Sequence, residues 1–238
     1  MQLKPNHILE PERFLLYEGR DNSLMVPIVI KLIHKENTKI CDVGGASGKF
    51  LNEIIFNSKY KIKATIIEVE DYYKDNLVNN NIEFINASIL NSGIDDNYFD
   101  IVVFRHLLHH LVSNNLQNTI EIQKLALNEI FRITKNNGFL IFIEQVNEIE
   151  IFSRIIYFLS KVANKFNIYS KFFSMGKVVV YFLSPKKIDS ILKIFEKKYN
   201  LIYYKKKFLP WNLSLRWKLT LLMSKIGSVF YIIKIQKS

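Results

Sequence analysis

The segment that most constrains this chain is "KICDVGGASGKFLNEII", Lys39 to Ile55. An apolar, β-branched run ends in an acid, three glycines follow within five residues, and then apolar residues recur at Phe50, Leu51, Ile54 and Ile55. That order predicts a strand over 39–43, a tight turn and a helix over 48–57. Glycines in such a turn let backbone amides approach a ligand. The same alternation continues downstream: strands over 62–68, 82–86, 100–104 and 139–144, with helices over 71–79 and roughly 117–134. Short apolar strands separated by helices imply an α/β fold with a parallel sheet covered on both faces. Ligands of such sheets bind beyond the carboxyl ends of the strands.

The glycine spacing excludes one common occupant. In a dinucleotide fingerprint a third glycine falls five positions after the first, but counting from Gly44 that position is Lys49. The pattern D-x-G-x-A-x-G, Asp42 to Gly48, instead resembles motif I of the class I S-adenosylmethionine-dependent methyltransferases, with Ala46 where glycine is more usual. Three further segments resemble the same family in order. Glu68 ends the second strand, where an acid can accept hydrogen bonds from both ribose hydroxyls; "DNYFDIVVFRHLLHHL" resembles the strand that runs into a histidine-bearing segment; and "LNEIFRITKNNGFLIFIE" resembles the helix, turn and fifth strand. Asn137-Gly138 stands for the usual glycine pair, and asparagine tolerates a left-handed turn. The matches cover about residues 37–145.

This resemblance implies a doubly wound, seven-stranded, mostly parallel Rossmann-like sheet with an antiparallel strand seven. It implies S-adenosyl-L-methionine as cofactor, faced by Asp42, Gly44, Gly45, Gly48, Glu68, Val69, Ala87, Ser88 and Arg105. Ser88 stands where relatives often carry an acid for the adenine amino group, and Asn86 or Asp95 is an alternative partner. Arg105 suits the cofactor carboxylate, an acidic acceptor or a surface salt bridge. His109 matches the position of a general base in small-molecule O-methyltransferases; the other reading makes His106, His109 and His110 structural. "FRHL" lacks the Asn/Asp-Pro-Pro-aromatic motif of amino-methylating nucleic-acid enzymes. Cys41, the single cysteine, lies upstream of motif I, which speaks against cytosine-C5 chemistry. His-x-Glu and Cys-x-x-Cys metal patterns are absent, and no metal is expected.

Domain organisation follows from the same reading: an N-terminal helical segment over 1–36, including a helix over 23–35 whose Pro27 suits only its first turn, and a methyltransferase domain over 37–238. Within that domain, 145–183 reads as a helical lid insertion after strand five. Residues 201–208 and 228–237 read as strands six and seven, with an insertion over 208–227. Ser184 and Pro185 open a further helix as N-cap and first helical residue.

Charge divides the chain. Residues 1–150 carry net −5 and residues 151–238 net +16, so the second half is expected to meet something anionic. "IEIFSRIIYFLSKVANKF", Ile149 to Phe166, reads as a basic amphipathic helix. It can roof an apolar acceptor pocket, lie on an anionic membrane, or pack on the sheet or against a second copy in a homodimer. Lysines interleaved with aromatics at 203–208 carry no recognised RNA-binding motif, which places nucleic acid behind a small-molecule or lipid-like acceptor. The amino terminus does not read as a signal peptide, no uncharged apolar run approaches a membrane span, and one cysteine suits a reducing compartment. A cytoplasmic protein, with peripheral membrane contact left open, is the expectation.

Overall fold

The computed structural model describes residues 15, 18–166, 168, 178–211 and 225–237. Its elements in chain order are α1 (Asn22–Leu32), β1 (Thr38–Val43), α2 (Lys49–Asn57), β2 (Ile62–Glu68), β3 (Ile82–Asn86), β4 (Phe99–Arg105), α3 (Leu116–Ile133) and β5 (Thr134–Asn147). After these come α4 (Glu150–Lys165), α5 (Pro185–Glu196), β6 (Tyr199–Pro210) and β7 (Ile226–Lys237). The seven strands form one sheet in the order β3-β2-β1-β4-β5-β7-β6, parallel except for β7, which pairs antiparallel with both β5 and β6. Chain order reverses between β1 and β4, and the turns after those strands open at the same edge of the sheet.

Strand alternation divides the core into two layers. Along β4, Ile101 and Val103 face Met25, Phe50 and Ile54, whereas Val102 and Phe104 join Leu127, Ile130 and Phe131 on the other side. Phe104, Phe142 and Tyr231 stack across three adjacent strands with centroids 4.6 and 4.8 Å apart. Capping fixes the helix starts: Asn118 N donates to Asn115 Oδ1 at 2.8 Å ahead of α3, and Lys187 N donates to Ser184 Oγ at 3.2 Å ahead of α5.

Three expectations are corrected. The helix over 71–79 is only a 3-10 turn, Asp71–Tyr73. Its asparagines bond to nearby groups instead: Asn79 Oδ1 accepts from Asn81 N at 2.9 Å, and Asn79 Nδ2 donates to Asn52 at 2.9 Å. Pro27 lies inside α1, not in its first turn. Finally, Phe208–Pro210 belong to β6 and pair with Gly227–Val229 of β7, which itself starts at Ile226, so the expected insertion begins later and ends earlier than 208–227. Residues 212–224, residues 169–177 of the expected lid, and residues 1–14 lie outside the described residues.

Positive φ angles mark the turn after β1: Gly44 at 72°, Ala46 at 47° and Gly48 at 84°. A Cβ on Gly48 would sit 2.9 Å from Ile82 Cδ1 and 3.0 Å from Ile66 Cδ1. That glycine therefore lets α2 close onto β2 and β3. Gly48→Ala is expected to cost roughly 1–2 kcal/mol of backbone strain, lowering Tm by about 2–8 °C. An unchanged melting curve would show that the turn relaxes without penalty.

Candidate functional site

The loops after β1, β2, β3 and β4 converge at the carboxyl edge of the parallel strands. Asp42, next to last in β1, is fully buried, and its Oδ2 accepts from Arg105 Nη2 at 2.9 Å. Its Oδ1 is buried with no hydrogen-bond partner. Burial pushes the Asp42 carboxyl up, and the charge and hydrogen bond of Arg105 only partly oppose it. Gly45 is glycine because a Cβ there would lie 3.0 Å from the Asp42 side chain. Two of the three charged residues expected to face the cofactor, Asp42 and Arg105, thus face each other. Arg105 is largely buried, donates also to Asn22 Oδ1 at 3.2 Å, and stacks over Phe50 at 4.6 Å. The expected surface salt bridge is therefore a buried one.

Glu68 ends β2 with its carboxylate turned back on its own loop. Oε1 accepts from Val69 N at 2.7 Å and Glu70 N at 3.2 Å. Burial raises its pKa, and hydrogen bonds from the amides of Val69, Glu70 and Ala46 offset only part of that. Through Ala46 the acid of β2 is tied to the glycine turn of β1. Ala46 holds a left-handed backbone, so its departure from glycine carries conformational strain as well as one methyl group. On the neighbouring strand, Ala87 N donates to Glu68 O at 3.0 Å. The Ser88 hydroxyl accepts from Leu90 N at 3.2 Å, capping the 3-10 turn Ile89–Asn91 and keeping its own proton to donate.

The histidine segment begins with strain. His106 has φ 53°, its amide donates to Ile143 O at 2.8 Å, and its Nε2 lies 2.7 Å from Asp21 Oδ2. Burial would raise the Asp21 carboxyl, but the hydrogen bond and charge of His106, with Arg105, hold it below its ordinary value. His109, in the 3-10 turn Leu108–His110, is only 4% exposed. Its Nδ1 lies 2.6 Å from Oε1 of Glu144 on β5, whose Oε2 accepts from Leu108 N at 2.7 Å. A carboxylate facing Nδ1 favours the tautomer that leaves Nε2 as the ring's acceptor. Phe182 stacks on the imidazole at 5.2 Å, and Tyr181 N donates to His109 O at 3.1 Å.

Four residues at this edge escape a reading of sequence. Glu18 accepts from Ser47 Oγ at 2.6 Å and from Lys49 N at 3.2 Å, at the start of α2. Asp21 and Asn22 close on His106 and Arg105 across more than 80 positions of sequence. No local signal announces these contacts. Glu144 did leave one, a lone acid ending the apolar run "FLIFIE". Among the described residues, no group of three His, Cys, Asp or Glu side chains is placed to hold a metal.

The site suits the cofactor implied by the motif. Asp42 Oδ1, buried without a donor, calls for one such as a ligand ammonium, and Glu68 presents a carboxylate at the strand end where ribose hydroxyls are expected. Comparison with known proteins agrees. Residues 41–142 match the model of a methyltransferase domain. The curated proteins include no match. Among solved structures, the chain is similar to a SAM-dependent methyltransferase from Methanosarcina mazei, with TM-score 0.63 and 14% identity over 89% of this chain and 98% of that one. It is also similar to geranyl diphosphate C-methyltransferase from Streptomyces coelicolor, crystallised with Mg2+, geranyl diphosphate and S-adenosyl-L-homocysteine (0.61, 9%, covering 97% and 85%). A third likeness is to the [4+2]-cyclase SpnF (0.59, 12%, covering 91% and 82%). The domain match and the strand order agree: residues 41–142 match a methyltransferase domain, and the chain has the fold of the SAM-dependent methyltransferase it is similar to.

Proposed function

We propose that the chain methylates a hydroxyl of a small or lipid-like acceptor, with His109 as the base. The observation that carries this reading is the buried His109–Glu144 pair at the carboxyl end of β4 and β5. S-adenosylmethionine, when bound, supplies the electrophilic methyl carbon. The chain's own residues do the rest. Gly44, Gly45 and Gly48 shape the turn at its methionine end, Asp42 Oδ1 takes its ammonium, Glu68 holds its ribose, and Val69, Ala87 and Ser88 flank the base. Arg105 acts through Asp42, fixing one carboxylate oxygen so that the other is directed at the ligand. Glu144 holds the His109 proton on Nδ1, and Nε2 takes the acceptor's hydroxyl proton as the oxygen attacks. Phe182 and the partly buried Leu107 and Leu111 give the surroundings an apolar character that suits an apolar acceptor and excludes water. In this reading, helix α4 and the segment Val178–Leu183 wall the acceptor side, the latter through its bond to His109 O.

The cofactor assignment is tested by calorimetric titration with S-adenosylmethionine. Glu68→Gln removes a charged acceptor, a hydrogen bond worth roughly 1.5–3 kcal/mol, so affinity is expected to fall at least about tenfold. Only the ionised Glu68 serves as that acceptor, and its pKa is raised. Wild-type affinity should therefore begin to decline with falling pH at higher pH than an ordinary glutamate would dictate, while the glutamine variant keeps only the shallower dependence that Asp42, also raised, contributes. Equal affinity in both proteins, or the same pH slope, would overturn the assignment.

Transfer of radiolabelled methyl groups to metabolite, lipid and RNA fractions identifies the acceptor class. With that acceptor, His109→Ala is expected to lower turnover about a hundredfold or more with cofactor affinity nearly intact. Glu144→Gln should lower it at least about tenfold. Full turnover without the imidazole would assign His109 to packing, and labelling of RNA alone would replace the acceptor reading.

A further inference from the structure

Helix α4 is turned inside out relative to an ordinary surface helix. The face it packs against the protein carries Ser153, Ile156, Tyr157 and Ser160, all buried. Polar bonds secure that face: Tyr157 OH donates to Ser113 O at 2.6 Å, and Ser160 Oγ donates to Tyr157 O at 2.9 Å. The apolar residues lie opposite. Ile151, Ile155, Phe158, Leu159, Val162 and Phe166 fall within one stripe about 100° wide, centred about 160° from the buried face at 3.6 residues per turn. Five of the six are exposed, from 49% at Val162 to 64% at Phe166. A soluble domain with no partner for this stripe would leave a continuous apolar band in water.

Charge tells what covers it. Arg154, Lys161 and Lys165 form a row along one border of the stripe, and the only acid on the helix, Glu150, pairs with Arg154 at 2.7 Å. Two grooves open along that border. Arg154, Lys187, Tyr181 and Lys124, the last paired with Glu121 at 2.6 Å, line the first, and Lys161, Lys165, Val112 and Val179 line the second. An apolar stripe edged by cations and backed by a half-chain of net +16 matches a surface that is apolar below and anionic above.

We propose that α4 docks the protein on anionic bilayers, the apolar stripe entering the acyl boundary and the basic row meeting lipid headgroups. No helix among the described residues is long and apolar enough to cross a membrane, so the contact is peripheral. The docking is independent of which acceptor is methylated, and vesicle binding requires no turnover.

Cosedimentation with vesicles tests it. The protein should pellet with vesicles containing about 30% phosphatidylserine and not with pure phosphatidylcholine, and should release as salt rises from about 0.05 to about 0.5 M. Phe158→Ser with Val162→Ser should weaken binding about tenfold or more at unchanged Tm, since both side chains are exposed. Lys161→Glu with Lys165→Glu should weaken it at least about twentyfold. Reversing Lys205 and Lys207 on β6 serves as a control for net charge and should cost less. Failure to bind anionic vesicles at low salt would overturn the proposal. So would equal loss in the β6 control, or a wild-type dimer that the serine variant converts to monomer, which would make the stripe an interface between copies.

Discussion

A buried carboxylate with only half of its hydrogen-bonding capacity met organises this molecule. Asp42 lies next to last in β1, the strand beside which chain order reverses, and its Oδ2 is held by Arg105 from β4 while its Oδ1 has no donor. Arg105 in turn fastens Asn22 at the start of α1 and lies over Phe50 of α2, so one ion pair ties two strands and two helices. Its net value for stability is another matter. Because burial outweighs Arg105 and leaves the Asp42 carboxyl raised, ionised Asp42 costs stability above the ordinary carboxylate pKa, a cost relieved as pH falls through the raised value. Removing either partner would nonetheless leave a lone buried charge, a loss of about 3–5 kcal/mol. The pair fixes one oxygen of Asp42 and leaves the other unsatisfied.

The same arrangement explains why the edge is built from strained or glycine positions. Ala46 and His106 both hold left-handed backbones, one in the turn after β1 and the other in the turn after β4. Their neighbours over-determine them, since the Ala46 amide bonds Glu68 and the His106 amide bonds Ile143. Strain of this kind at two facing turns keeps backbone and side-chain groups converging on one small volume. Fold likeness alone would not specify what happens there, because a cyclase shares the architecture. The site residues carry the functional argument.

Much of this was legible in the sequence, for physical reasons. Buried parallel strands must be continuous apolar runs, so β2 and β3 were placed to the residue and β1 and β4 to within one or two. Asn137 took the left-handed turn its short polar side chain tolerates, at φ 61°. The failures share a cause: side-chain chemistry that only three-dimensional neighbours decide. Asn79 Nδ2 bonds Asn52 of α2, Asn79 Oδ1 and Asn76 Nδ2 bond Asn81 N and Tyr72 O, and only the turn Asp71–Tyr73 forms where a helix over 71–79 was expected. Helix α4 was rightly placed, but periodicity cannot tell which stripe faces the protein, and here the face bearing serines and a tyrosine does. Glu18, Asp21 and Asn22 precede the motif and reach it only through folding.

The account rests on a ligand completing Asp42 and Glu68 at the β1/β4 switch point. A crystal structure with S-adenosyl-L-homocysteine tests this most directly. The account predicts the amino group within hydrogen-bond distance of Asp42 Oδ1, the ribose hydroxyls on Glu68, and the Asp42–Arg105 pair intact. A ligand bound away from that edge, or Asp42 Oδ1 still without a donor in the complex, would contradict it.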